Sequence, residues 1–207
     1  TLVVRVRDVT DTAQHSRGKQ KMRHGGIFYT PQSGIWQPVW LERVPKTHVR
    51  SLHITPLYDE AMLELRVRTS KPCACVAHIG ERSFAFSSGA ACRIPMPDFR
   101  PWSPEDPFLY DFSVEAGEDR VESYFAMRKI GVAPDEKGTP RLTLNGKPYF
   151  QSGVLDQGYW SDGMLTAPSD EAMISDIETM KRMGFNMLRK HIKLEPLRWY
   201  YHCDRLG

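Results

Sequence analysis

The stretch EAMLELRVRT (Glu60–Thr69) alternates without a slip. Ala61, Leu63, Leu65 and Val67 fall on one face, and Met62, Glu64, Arg66 and Arg68 on the other. A period of two with β-branched and aliphatic residues on one side is the signature of a half-buried strand. Working outward, short strand-like runs recur at Val49–Thr55, Cys73–Ile79, Ser83–Phe86, Ala91–Met96, Leu109–Glu115 and Val121–Lys129, separated by turn residues. Strands at that spacing predict an antiparallel sandwich of immunoglobulin-like size over residues 46–133. Its inner face should carry Leu63, Leu65 and Val67. Prolines at 101, 104 and 107 forbid a central strand in FRPWSPEDPFLYDF (Phe99–Phe112) and predict a crossing segment there.

The texture changes on either side. From Leu142 onward, Leu144-Asn145-Gly146-Lys147 is a hairpin signal. Tyr149–Leu155 reads as a strand and Ser169–Met183 as a helix. Ser169 is placed to N-cap that helix, Asp170 and Glu171 sit at its positive end, and Lys181 and Arg182 at its negative end. Met173, Ile174, Ile177 and Met180 make its apolar stripe, and Gly184 stops it. Asn186–Lys190 is a second strand. Glu195-Pro196 opens a second helix with Trp199, Tyr200, Cys203 and Leu206 on one face. Strand, helix, strand, helix predicts parallel pairing. No GxGxxG or GxxxxGK[ST] accompanies it, so a nucleotide fold lacks its fingerprint. Upstream, Leu2–Val6 and the run Ile27–Pro45, with Trp36, Val39, Trp40, Leu41 and Val44, read as two strands around a polar loop. Two strands cannot stand alone, so they are expected to complete a sandwich whose other strands precede Thr1.

Composition narrows the function classes. With 41% hydrophobic and 26% charged residues the chain is of ordinary globular type. No apolar run approaches the ~20 residues of a membrane helix, and no signal peptide opens it. Net charge is +3, too little to argue for nucleic acid. Its distribution is uneven, with nine Lys/Arg against three acids in residues 1–50. RGKQKMRHGG (Arg17–Gly26) is the one tract resembling a polyanion patch, and a solvated loop is its plain reading. The cysteines at 73, 75, 92 and 203 form no CxxC pair and are read as reduced thiols, which tilts localisation towards a reducing, cytoplasmic compartment. The histidines have no ligand spacing, so no metal or other cofactor is expected.

Four segments carry a resemblance that spans the chain. They are Arg17-Gly18-Lys19-Gln20, SGIWQPVWLE (Ser33–Glu42), WSPEDPFLY (Trp102–Tyr110), and the stretch from Asn145 through GFNMLRKH (Gly184–His191) to Cys203-Asp204-Arg205-Leu206-Gly207. In this order they resemble the family-2 glycoside hydrolases, the β-galactosidase, β-glucuronidase and β-mannosidase group. The resemblance implies a multi-domain β plus α/β protein. Residues 1–45 would end a jelly-roll sugar-binding-type domain, 46–133 would be the immunoglobulin-like β-sandwich, and 134–207 would be the first two βα units of a (β/α)8 TIM barrel.

It also implies a retaining β-glycosidase, β-galactosidase-like, acting on a carbohydrate substrate without nucleic acid or membrane. Homo-oligomerisation of the full-length parent is left open. Such enzymes use two carboxyl groups ~5–5.5 Å apart, which the family resemblance places on later barrel strands. This chain by itself is therefore expected to hold no catalytic residue and to be inactive. Glu171, Glu178 and Glu195 fail on position: two lie on an outer helix and the third begins one. What remains is substrate-site wall at the strand ends, namely Asp156, Trp160, Arg189 and His191. Arg189 matches the family arginine that can hold the catalytic carboxylates. His191 sits one place early against the family pattern. Trp160 is either a sugar-stacking platform or core packing. Two alternatives stand beside this reading: a non-catalytic carbohydrate-binding or interaction module built on the sandwich, and a polyanion binder using Arg17–Arg23.

Overall fold

The computed structural model describes residues 1–207. The chain divides into two compact units. One is Leu41–Phe150, and the other combines Thr1–Trp40 with Gln151–Leu206.

The first unit is the antiparallel sandwich. Its strands are β1 (Val49–Leu57), β2 (Met62–Thr69), β3 (Ala74–Ile79), β4 (Arg82–Ser87), β5 (Ala91–Pro95), β6 (Tyr110–Ala116) and β7 (Asp119–Phe125). One sheet has the order β1-β2-β5 and the other β4-β3-β6-β7. Leu63, Leu65 and Val67 are completely buried, with Ile94 opposite Leu63 in the register. From the other sheet Ala77 and Val114, themselves register partners, join the same core. The seven strands overlap the runs expected from sequence, and β7 is the one most displaced, running Asp119–Phe125 where Val121–Lys129 was expected; their inner faces share a common interior.

The proline-rich stretch between β5 and β6 forms no strand beyond a single bridge at Pro101. Trp102 is buried there. The unit closes with a small meander of β8 (Ile130–Pro134), β9 (Pro140–Leu144) and β10 (Lys147–Pro148). Its tight turn puts Asn145 and Gly146 at φ 54° and 79°, the left-handed pair that a two-residue hairpin requires.

The second unit holds β11 (Gly153–Asp156), α1 (Asp170–Arg182), β12 (Met187–Lys190) and α2 (Leu197–Leu206). β11 and β12 pair in parallel, as a strand–helix–strand unit demands. Ser169 Oγ accepts the Ala172 amide at 3.2 Å and caps α1. At the other end the amide of Gly184 (φ 87°) donates to Lys181 O and that of Phe185 to Met180 O, the paired bonds of a Schellman stop. Met173, Ile177 and Trp199 form the buried helix–helix core, with Leu188, Cys203 and Leu206 packed on it. Tyr200, expected on this face, is turned outward, and its hydroxyl meets the Glu195 amide at 3.2 Å. It lies about 100° around the helix from Trp199, too far to share the stripe. No helix is long and apolar enough to cross a membrane.

The first 48 residues depart from expectation. They hold no strand, only isolated bridges at Gln20–Tyr29 and Gly25–Phe28. Leu2 is 88% exposed, Trp40 69% and Leu41 99%. The strands expected at Leu2–Val6 and within Ile27–Pro45 are not formed. A strand is defined by its ladder, and no other segment of this chain forms a ladder with either run.

Candidate functional site

The parallel pair fixes the geometry of the site. Gly153, Val154, Leu155 and Asp156 are the register partners of Met187, Leu188, Arg189 and Lys190. Alternation sends Val154, Leu188, Asp156 and Lys190 to one face and Leu155 and Arg189 to the other. Leu188 marks the first face as the helix side. Lys190 confirms this by lying over the Trp199 ring, 4.1 Å from its centroid. Arg189 is exposed on the opposite face beside the half-exposed Leu155 and forms no ion pair.

At the C-terminal end of the pair, four charges interlock. Lys190 Nζ is 2.7 Å from Asp156 Oδ2 and 2.6 Å from Glu195 Oε1, the second contact lying off the line of a hydrogen bond. Lys193 Nζ is 3.1 Å from Glu195 Oε2 and donates to Gly158 O at 2.5 Å. The Lys193 and Glu195 side chains are each only 2% exposed. Burial lowers the affinity of Lys193 for its proton, and the Glu195 charge works against that. Asp156 Oδ1 also accepts the Gly158 amide at 2.8 Å. Gly158 has φ +59°, and a β-carbon there would run into the Glu195 carboxylate. Only glycine lets this loop close over the charges. On α1, burial and the nearby Asp156 charge raise the Asp176 carboxyl above its ordinary range.

Sequence reasoning missed Glu195 as a buried member of this cluster, because a residue before proline at a helix start reads as an N-terminal acid. The usable signal was the chemistry of Lys190-x-x-Lys193-x-Glu195, three charges interleaved with Ile192 and Leu194 beyond a strand end.

Of the residues singled out from sequence, Asp156, Arg189 and His191 lie at the strand ends, with Arg189 on the opposite face from Asp156, and none of these three lines the groove described below. The His191 amide donates to Asp156 O at 3.0 Å, and its Nδ1 is buried without a partner. Trp160 stands apart. It pairs with Met164 in a small bridge and its ring packs against the core of Met173, Ile177 and Trp199. No group of three His, Cys, Asp or Glu is arranged to hold a metal.

Beside the cluster opens a groove of about 950 Å³. Gln157 and Tyr159, just after β11, and Lys190, Ile192 and Lys193, at and just after the end of β12, form one wall. The loop Ala13–Gln20 with Trp36 forms the other. Tyr29 stacks on Tyr159 at 4.2 Å, and Tyr159 Oη donates to Thr30 O at 2.8 Å, which anchors the strand-free segment here. Lys193 lies 5.5 Å from the centroid of the Trp36 ring.

Residues 47–128 match the family model described as glycosyl hydrolases family 2. A β-galactosidase of Enterobacter cloacae is 30% identical over an alignment of 205 positions that covers 84% of this chain and 20% of that protein. One from Halalkalibacterium halodurans is 28% identical over an alignment of 193 positions that again covers 84% of this chain, and 19% of that protein. The chain thus spans about a fifth of the length of these relatives. Among solved structures, a β-glycosidase from Bacteroides vulgatus superposes with a TM-score of 0.71 at 22% identity, covering 88% of this chain and 26% of that one. A β-glucuronidase from Faecalibacterium prausnitzii gives 0.66 at 21% identity, covering 79% and 27%. The likeness to these two structures is one of fold.

Proposed function

Because this chain belongs, through residues 47–128, to family 2 of the glycosyl hydrolases, we propose that the whole protein is a retaining β-glycosidase, β-galactosidase-like in the bond it cleaves. In this reading residues 134–207 begin a (β/α)8 barrel, and residues 1–45 supply the end of a jelly-roll sugar-binding-type domain. The observation that carries the reading is that residues at the C-terminal ends of both parallel strands line one groove. Ligand sites of parallel α/β folds gather at that edge.

Arg189, exposed and unpaired on the face away from the helices, is free to hold carboxylates supplied by later strands. Asp156, fixed by Lys190, orders the loop that carries Gln157 and Tyr159. His191 keeps the sugar-hydroxyl role as a proposal that requires its buried, unpartnered Nδ1 to be uncovered when substrate binds. Trp160 would support the wall from behind. None of the local glutamates is assigned the chemistry. Glu195 is neutralised by two lysines, and Glu171 and Glu178 are exposed on α1.

The test is a panel of chromogenic β-galactoside, β-glucuronide and β-mannoside substrates, with the anomeric product followed by NMR. The whole protein should turn over a β-glycoside with retention, and this 207-residue chain should not. Arg189→Ala in the whole protein should lower kcat/KM by about 2–4 kcal/mol, the scale of losing one partner of a charged hydrogen bond. Inversion at the anomeric carbon, or no turnover of any β-glycoside, would overturn the reading.

A further inference from the structure

Four cations and no carboxylate line the groove: Arg17, Lys19, Lys190 and Lys193. Two of the four are answered from behind the wall, since Asp156 and Glu195 pair with Lys190 and Lys193. The other two are not. Arg17 spends one guanidinium nitrogen on the carbonyls of Asp11 and Ala13, at 3.1 and 3.0 Å, which aims the group without neutralising it. The Lys19 ammonium makes no ion pair, although the residue is half-buried and its carbonyl is fixed by the Tyr29 amide at 2.8 Å. The acids of the same loop are committed elsewhere. Asp8 accepts from Ser33 and Thr10, and Asp11 accepts the Met22 amide.

We propose that this groove takes an anionic sugar unit of the substrate, with its negative group between Arg17 and Lys19. The proposal rests on the glycosidase reading and narrows the substrate class of that site. A neutral sugar offers hydroxyls, which leave two partly desolvated cations without a counter-charge. A carboxylate or a sulfate ester supplies that charge, and a guanidinium fork matches its paired oxygens. The rest of the lining suits a saccharide. Trp36 and Tyr159 contribute aromatic rings, one face of Tyr159 being covered by Tyr29 and Lys193 lying over Trp36, and Gln157 carries a buried Oε1 without a partner, an acceptor for a hydroxyl. The volume lies near the top of the ~300–1,000 Å³ of small-ligand pockets, enough for more than one ring. The basic tract read from sequence as a solvated loop is in this view a wall of the site.

The experiment is calorimetric titration of the 207-residue chain with methyl β-galactoside, methyl β-galacturonide and the galactoside 6-sulfate, at low salt and at about 0.15 M salt. A single-stranded oligonucleotide serves as a polyanion without sugar chemistry. At least one anionic sugar should bind about 10-fold or more tighter than the neutral one, the scale of a hydrogen bond to a charged group, and should weaken with salt. Preference for the galacturonide assigns a carboxylate, and preference for the sulfate a sulfate ester. Lys19→Gln, which breaks no side-chain bond in the fold, should remove most of that preference. Arg17→Gln should do the same.

Equal affinity for neutral and anionic sugars, no binding of any sugar, a preference that survives Lys19→Gln, or tighter binding of the oligonucleotide would each overturn the proposal. Hydrolysis of neutral galactosides without acidic preference sinks the anionic subsite alone. Failure to hydrolyse any β-glycoside sinks the underlying reading.

Discussion

Lys190 and Asp156 are register partners across the parallel pair, and their charges meet at 2.7 Å. The contact ties together the C-terminal ends of β11 and β12, the points from which both groove-lining loops leave. Glu195 extends the tie by touching Lys190 and Lys193 together. Removing its charge leaves the Lys193 ammonium without a counter-charge, and Lys190 with Asp156 alone, in a site where Lys193 and Glu195 are almost fully enclosed. Breaking a buried pair in this way typically costs about 3–5 kcal/mol. Glu195→Gln should therefore destabilise the second unit by that order at neutral pH, read by denaturant-dependent amide exchange in β11 and β12. A change of only a few tenths would mean that water reaches the cluster.

In the sandwich, Leu65 is completely buried opposite Cys92. Leu65→Ala should cost about 2–5 kcal/mol through lost transfer energy and the cavity left behind. Val132→Ala on the exposed face of β8, where the side chain is 67% exposed, should stay within about 0.5 kcal/mol. Chemical denaturation of the two variants side by side makes the comparison.

The contrast between the units explains what sequence could reveal. Leu63, Leu65 and Val67 were legible because a period of two admits one burial pattern. The α1 boundaries were legible because Ser169 and Gly184 each satisfy a specific backbone need. The runs Leu2–Val6 and Ile27–Pro45 were misread because Leu2, Val4 and Trp40 carry strand propensity, while a ladder needs a partner that propensity cannot supply. The charge cluster was missed for a related reason. Lys193 and Glu195 look like surface residues in one dimension, and only the fold of the loop over Gly158 brings them inside.

Two thiols should be inert at mildly alkaline pH. Burial, with the Asp204 charge second, pushes the Cys203 thiol up to about 11. Burial, with Cys73 beside it, takes Cys75 to about 11 as well. The thiolate is the reactive form, so iodoacetamide at about pH 8 should alkylate both far more slowly than an unfolded control. Mass spectrometry of the labelled peptides reads this directly. Rapid alkylation of Cys203 in the folded chain would show that the α1–α2 interface opens readily.

Acid should loosen the meander of the first unit. The Asp135 carboxyl lies below its ordinary range, chiefly through the Arg141 guanidinium at 2.9 Å, then through the Thr139 and Lys137 amides. A carboxyl with a lowered folded-state pKa binds fewer protons folded than unfolded. Its stabilisation is present above the unfolded value and is lost as pH falls through the folded one. Asp135→Asn should flatten the acid limb of stability measured at the β8–β9 hairpin and leave the neutral-pH sandwich core intact. An unchanged acid limb would assign acid sensitivity to other carboxyls.

The two units should also differ in protection from exchange. The sandwich core is a cluster of thirteen buried residues, whereas the helix pair is built on Met173, Ile177 and Trp199. At about 1.5–3 kcal/mol for each fully buried apolar side chain, the larger cluster supports a far higher opening energy, and exchange from core strands tracks that energy. Amides of β2, β3 and β6 should be the slowest in the chain. Those of β11 and β12 have one neighbouring strand each and few buried apolar contacts, so they should exchange orders of magnitude sooner. Residues 1–48, without a ladder, should exchange first, apart from amides such as Tyr29, whose partner is the Lys19 carbonyl. Equal protection across both units in hydrogen exchange with mass spectrometry would show that the groove unit is held by forces other than apolar burial, with the Lys190–Glu195–Lys193 cluster the first place to look.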